Sequence, residues 1–135
     1  MARASSRDIL AYVLSKTGCV HPFLASRIIA LAETSYYKAR RERLTDLKYV
    51  GDPGTFYIEG LKELVDRDEC FARREGDPSI GKRGCIEYRC EQPQLASEVK
   101  RLLDEAIEEV KRLGEFEVNK MLVEDEVFKK LLEEG

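Results

Sequence analysis

Between Leu31 and Val65 the spacing of apolar residues changes character twice, and no other stretch restricts the fold as much. The run LAETSYYKARRERLTDLKYVGDPGTFYIEGLKELV begins on a helical spacing (Leu31, Ala32, Tyr36) and then crosses a basic segment. Leu44 to Val50 is too short for a useful helix and reads as extended. Asp52-Pro53-Gly54 is strong turn chemistry, because Pro fixes one dihedral and Gly permits a positive one. From Thr55 the positions of Phe56, Ile58, Leu61, Leu64 and Val65 predict a helix capped by Thr55. Gly60 weakens that helix by about 1 kcal/mol relative to Ala, which predicts close packing at this position. The stretch therefore joins two apolar-faced helices through a corner, and the remaining chain must pack around that joint.

Upstream, Ser5 followed by Asp8 predicts a helix start, with Ile9, Leu10, Tyr12, Val13 and Leu14 as its apolar face and Gly18 as its stop. Pro22 suits the first turn of a second helix because it has no N–H to leave unbonded there. Phe23, Leu24, Ile28, Ile29, Leu31, Ala32 and Tyr36 carry that helix to about Arg40. The pair joined by Thr17-Gly18-Cys19-Val20 is a helix-turn-helix candidate, and equally a plain αα-hairpin. Downstream, Cys70 to Glu75 and Gly84 to Cys90 flank a loop bounded by glycines. Ile86 and Tyr88 alternate with Glu87 and Arg89, the period of a half-exposed strand, which predicts a β-hairpin. Three helices followed by a hairpin is the order of elements in a winged helix.

After Pro93 the pattern changes again. Leu95, Val99, Leu102, Leu103, Ala106, Ile107, Val110 and Leu113 trace one helical stripe ending at Gly114, and the apolar residues from Phe116 to Leu132 predict one or two shorter helices. No Gly-, Ser- or Pro-rich linker separates this tail. The expected architecture is thus a mainly α, single domain over residues 1–135, with a winged-helix-like core and wing at about 6–91 and C-terminal helices at about 95–133. A chain of 135 residues that is 43% hydrophobic suits one core. No run approaches the roughly 20 apolar residues of a membrane span, and the N-terminus lacks the apolar stretch of a signal peptide, so the expected location is the cytoplasm.

Charged residues make up 36% of the chain, against one Asn (Asn119), two Gln (Gln92, Gln94) and no Trp, the compositional tendency of hyperthermophile proteins. That bears on Cys19, Cys70, Cys85 and Cys90, because hyperthermophile cytosol is an exception to the rule that intracellular thiols stay reduced. Zinc sites usually present paired Cys-x-x-Cys knuckles, and none occurs here. Cys70 and Cys90 stand at the two ends of the expected hairpin, which leaves Cys19 to reach Cys85. Disulfides or buried thiols are the expected state, ahead of a metal site that includes His21.

No catalytic constellation emerges. His21, the only histidine, precedes Pro22 at a helix start, where capping is its default role, and nothing nearby in sequence offers an acid–base partner. The carboxylates lie in mixed-charge stretches such as Asp104-Glu105 and Glu108-Glu109, and Gly81-Lys82-Arg83-Gly84 lacks the strand–loop–helix context of a phosphate loop. No cofactor or metal is implied. The charge is uneven, however. Residues 1–50 carry nine Lys/Arg against four acids, and residues 95–135 carry seven against twelve. Lys38, Arg40, Arg41 and Arg43 cluster at the end of the second helix, where cations also simply complement the helix dipole. Arg73, Arg74, Lys82 and Arg83 decorate the hairpin and its tip, where wings touch phosphates.

Leu31-Ala32-Glu33-Thr34-Ser35-Tyr36-Tyr37-Lys38, then Arg43-Leu44-Thr45-Asp46-Leu47-Lys48-Tyr49-Val50, resembles the core of the SocA-like Panacea family. The tail from Val99 to Val123 is similar to that family's closing helices. At the corner the family has a Gly-Pro pair where this chain has Gly51-Asp52-Pro53-Gly54. The resemblance implies a non-catalytic, mainly helical regulatory domain, acting as an antitoxin that neutralises a toxin protein or as an adaptor that presents a client to a protease. The expected function is thus a non-enzymatic interaction module that binds a partner protein. The alternative is a winged-helix transcriptional regulator that binds DNA through the eight basic residues above. The regular stripe of the tail either caps the core or pairs with a second copy in a dimer.

Overall fold

The computed structural model describes residues 4–134, so Arg3, counted above among the bases, lies outside them. The chain is mainly helical, with six α-helices and two small antiparallel sheets of two strands each among the described residues. Helix α1 (Ser6–Thr17) starts at Ser5, whose Oγ accepts from the Asp8 N–H at 3.0 Å, and stops at Gly18 with φ 82°. Ile9 to Leu14 are all buried, so this helix is covered on every side rather than along one stripe. Tyr12, fully buried, donates its hydroxyl to Asp104 at 2.7 Å; burial and then this bond push its pKa up to about 12.

Helix α2 (Pro22–Arg40) is the axis of the molecule. It contacts α1 and three tail helices, α4 (Ser97–Leu113), α5 (Glu115–Glu124) and α6 (Glu126–Glu134). The tail stripe of Val99, Leu102, Leu103, Ala106, Ile107 and Val110 is buried within the chain's own core. All six helices contribute to one continuous core.

The joint after α2 departs from the sequence reading. Strand β1 (Lys48–Val50) pairs with β2 (Tyr57–Glu59) across the Asp52-Pro53-Gly54 turn, in the register Tyr49 opposite Ile58. Residues 55–60 are therefore not the first turns of a helix. Thr-Phe-Tyr-Ile is a β-prone run, and Phe56 and Ile58 are buried while Tyr57 and Glu59 are exposed, a period of two. The helix begins only at α3 (Leu61–Arg67), with Gly60 as its cap at φ 83°. A Cβ on Gly60 would meet nothing within 4 Å, so the glycine serves the positive φ and not close packing.

The expected hairpin is present as β3 (Phe71–Arg74) and β4 (Cys85–Tyr88), paired Phe71 to Tyr88 and Arg74 to Cys85. Its tip holds a short 3-10 turn over Pro78–Ile80. At the neck a Cβ on Gly76 would lie 2.6 Å from the Gly84 nitrogen and from the Lys82 carbonyl oxygen, so only glycine fits. Ile86 also bridges to Val20, which joins the hairpin to the α1–α2 loop. All four cysteines are disulfide-bonded, Cys19 to Cys85 and Cys70 to Cys90, in the pairing anticipated from the hairpin. No described helix is long and apolar enough to cross a membrane.

Candidate binding groove

A shallow groove of about 350 Å³ opens where the N-terminus of α2 meets β2, α3 and the second hairpin. Its apolar lining comes from Pro22, Phe23, Phe56, Ile58, Leu61, Val65 and Ile86. Two exposed aromatic residues extend it outward. Tyr57, on the lining itself, is 58% exposed, and Phe116, 74% exposed, packs on Phe23 with ring centroids 6.3 Å apart.

Arg27 forms part of the groove wall and is only 1% exposed. Its guanidinium lies between two rings, 3.7 Å from the Phe23 centroid and 3.9 Å from that of Phe56. It donates to Asn119 Oδ1, Ser26 Oγ and the carbonyl oxygens of Phe56 and Gly54, all neutral acceptors. Burial lowers its pKa to about 10, against an upward pull from Glu115, so it remains a cation at neutral pH. Asn119 also donates to the Gly54 carbonyl at 3.1 Å, which ties α5 to the β1–β2 turn. The turn, α2 and α5 thus position this one cation together.

His21 caps α2 by accepting from the Phe23 N–H at Nδ1, 3.0 Å away, and it also lines the groove. Burial and then the neighbouring Arg83 lower its pKa, with Glu115 pulling the other way. With Nδ1 engaged as an acceptor, the imidazole is neutral with its proton on Nε2.

The basic residues singled out from sequence fall at two ends of α2, separated by about 27 Å at the rise of an α-helix. At the C-terminal end Lys38 pairs with Asp125 at 2.6 Å, and Arg40 forms a fork on Glu98 at 2.8 to 3.1 Å. Burial pushes the Asp125 carboxyl up, but Lys38 and the N–H groups of Phe128 and Val127 outweigh it and hold the group below its usual value. Arg43 is turned inward to the buried Glu33 at 3.1 Å. At the other end Arg73 pairs with Asp66, Arg74 with Glu87 and Arg83 with Glu115, at 3.0 to 3.2 Å. Arg41, in the left-handed region at φ 57°, and Lys82 are exposed and make no ion pair among the described residues. Of the eight, only Arg73 lines the groove.

No group of three or more His, Cys, Asp or Glu among the described residues is arranged to hold a metal ion. Sequence reasoning did not find the groove. The signal that marks it is Arg27, a lone cation inside the apolar run Phe23 to Ala32. The exposure of Tyr57 and Phe116 leaves no trace in the pattern, because exposed and buried aromatics look alike in sequence. No family model, curated protein or solved structure matches the chain, so the resemblance to SocA-like Panacea proteins stands on the quoted residues alone.

Proposed function

We propose that the chain is a non-enzymatic interaction module, antitoxin-like or adaptor-like, that binds a partner protein at the groove beside Arg27. The observation that carries this reading is the apolar-lined groove with the exposed ring of Tyr57 on its lining and the exposed ring of Phe116 packed on its Phe23 wall. Exposed aromatics beside a concave apolar surface are the usual anchors of protein interfaces. The alternative, a DNA-binding regulator, has weaker support, because six of its eight basic residues are already held by carboxylates of the same chain.

The cytoplasm remains our proposed location. Two disulfides are unusual for that compartment in a mesophile, but they accord with the hyperthermophile-like composition.

The test compares capture by the tagged chain and by a Tyr57→Ala, Phe116→Ala variant from native lysate, with and without nuclease. Both residues are exposed, so the variant retains the core. A protein captured by the parent, lost by the variant and indifferent to nuclease is the expected result. Capture that disappears with nuclease, or that the two substitutions leave unchanged, overturns the reading.

A further inference from the structure

The groove is apolar in its walls and one-signed in its charge. Its charged lining residues are Arg27, Lys62 and Arg73, with no Asp or Glu among the lining, in a chain whose net charge is -3. Lys62 is exposed and makes no ion pair among the described residues. Arg73 shares its guanidinium with Asp66 at 3.2 Å on the surface, a contact that an incoming carboxylate exchanges at little cost. Arg27 has only neutral oxygens around it, so no contacting carboxylate cancels its charge. Glu115, the acid that acts on both Arg27 and His21, is engaged by Arg83 at 3.0 Å. In a partly desolvated setting such uncancelled charge favours an anion over a neutral or cationic ligand.

We propose that the groove takes an acidic peptide segment of the partner, with one bulky apolar side chain seated against Phe23 and Tyr57 and adjacent carboxylates facing Lys62 and Arg73. This proposal rests on the partner-binding reading and adds the chemistry of the segment. The volume of about 350 Å³ has room for a large side chain together with part of a neighbouring residue, and lies at the low end of sites for whole small molecules. The lip formed by Tyr57 and Phe116 provides apolar surface for the residues beside the anchor. The apolar groove selects the anchor, and the cations select its flanks.

A random peptide library displayed on phage and selected on the intact, disulfide-bonded chain tests this. Enrichment of sequences with Phe, Leu, Ile or Met beside Asp or Glu is the expected result. A labelled synthetic copy of the leading peptide should bind the Lys62→Glu, Arg73→Glu variant roughly tenfold more weakly than the parent in fluorescence anisotropy, and added salt should weaken the parent more than the variant. Should the double reversal disturb folding, Lys62→Ala alone should still cost roughly threefold. Enrichment of basic or uncharged peptides, no enrichment at all, or displacement by duplex DNA but not by free acidic peptide would overturn the proposal. If selection fails while lysate capture still depends on Tyr57 and Phe116, the charge inference falls and the partner-binding reading stands. If both fail, both fall.

Discussion

The two hairpins are of similar size and are held by opposite means. The β1–β2 hairpin is fastened from within. Tyr49, Phe56 and Phe128 form a buried cluster with ring centroids 4.7 to 5.9 Å apart, and beneath it lies Glu33, fully buried. Glu33 accepts from the Leu44 and Thr45 N–H groups at 2.5 and 3.3 Å, from the Thr45 hydroxyl at 2.6 Å and from the Tyr49 hydroxyl at 3.1 Å. Burial and then the charge of Glu33 raise the Tyr49 pKa well above its usual value, so the phenol stays a donor. The β3–β4 hairpin lies at the periphery, with Phe71 and Ile86 buried and most other side chains exposed or half-exposed. Arg7 covers the rings of Phe71 and Tyr88 and pairs with Asp68 at 2.9 Å, while one disulfide, Cys70–Cys90, closes the base of the hairpin itself and the other, Cys19–Cys85, ties it to the α1–α2 loop. A two-stranded ribbon is marginal alone. The first gains stability from burial and satisfied polar groups, and the second, with less to bury, from covalent crosslinks.

Breaking each hairpin's own fastening sharpens the contrast. Glu33→Ala should give the largest effect, a loss of about 5 kcal/mol in urea unfolding, because it leaves the Leu44 and Thr45 N–H groups and the Thr45 and Tyr49 hydroxyls without their buried acceptor. The loss should be the same with disulfides oxidised or reduced if the two hairpins are independent.

For the second hairpin, the crosslinks should differ by the length of chain they close. Cys19–Cys85 spans 66 residues and Cys70–Cys90 spans 20. Chain entropy predicts losses of about 4 kcal/mol for Cys19→Ser, Cys85→Ser and about 3 kcal/mol for Cys70→Ser, Cys90→Ser. Equal losses would show that native contacts, and not loop closure, set their worth.

The smallest effect concerns His21, at the junction of this hairpin and α2. Its pKa is lowered in the folded state, so the fold binds fewer protons there than the unfolded chain. Its stabilisation is complete above the ordinary histidine value, near 6.5, and is lost as pH falls through that value toward the lowered folded one. Protonation at Nδ1 removes the acceptor for Phe23 N–H, a cap worth about 1 kcal/mol. His21→Asn keeps a capping oxygen and cannot titrate, so thermal melts between pH 7 and 5 should lose that part of their slope.

The second hairpin was readable because its signals are local. Ile86 and Tyr88 alternate with charged neighbours, glycines bound its tip, and Cys70 and Cys90 mark its ends. The first was not, because three-residue strands are shorter than the window over which period two and period 3.6 can be told apart. Phe56, Ile58, Leu61 and Val65 satisfy a helical template by chance, since a strand position and a helix position abut at Gly60. The same shortness concealed the groove, whose walls come from four separate elements.

By itself, the sequence determined α1, α2 and α4, the caps at Ser5 and His21, the stops at Gly18 and Gly114, and the turn at Asp52-Pro53-Gly54. These depend on neighbours within a few residues, which the chain carries wherever it goes. Only the tertiary structure decided that Glu33 would be the buried anchor of a hairpin, that most of the basic residues would be engaged by distant carboxylates, and that Arg27 would stand beside an open groove. A charge in a sequence has no dielectric and no partner. Packing supplies both, and it is packing that turned Arg43 inward to Glu33, set Lys38 and Arg40 against tail carboxylates at the surface and left Arg41 exposed.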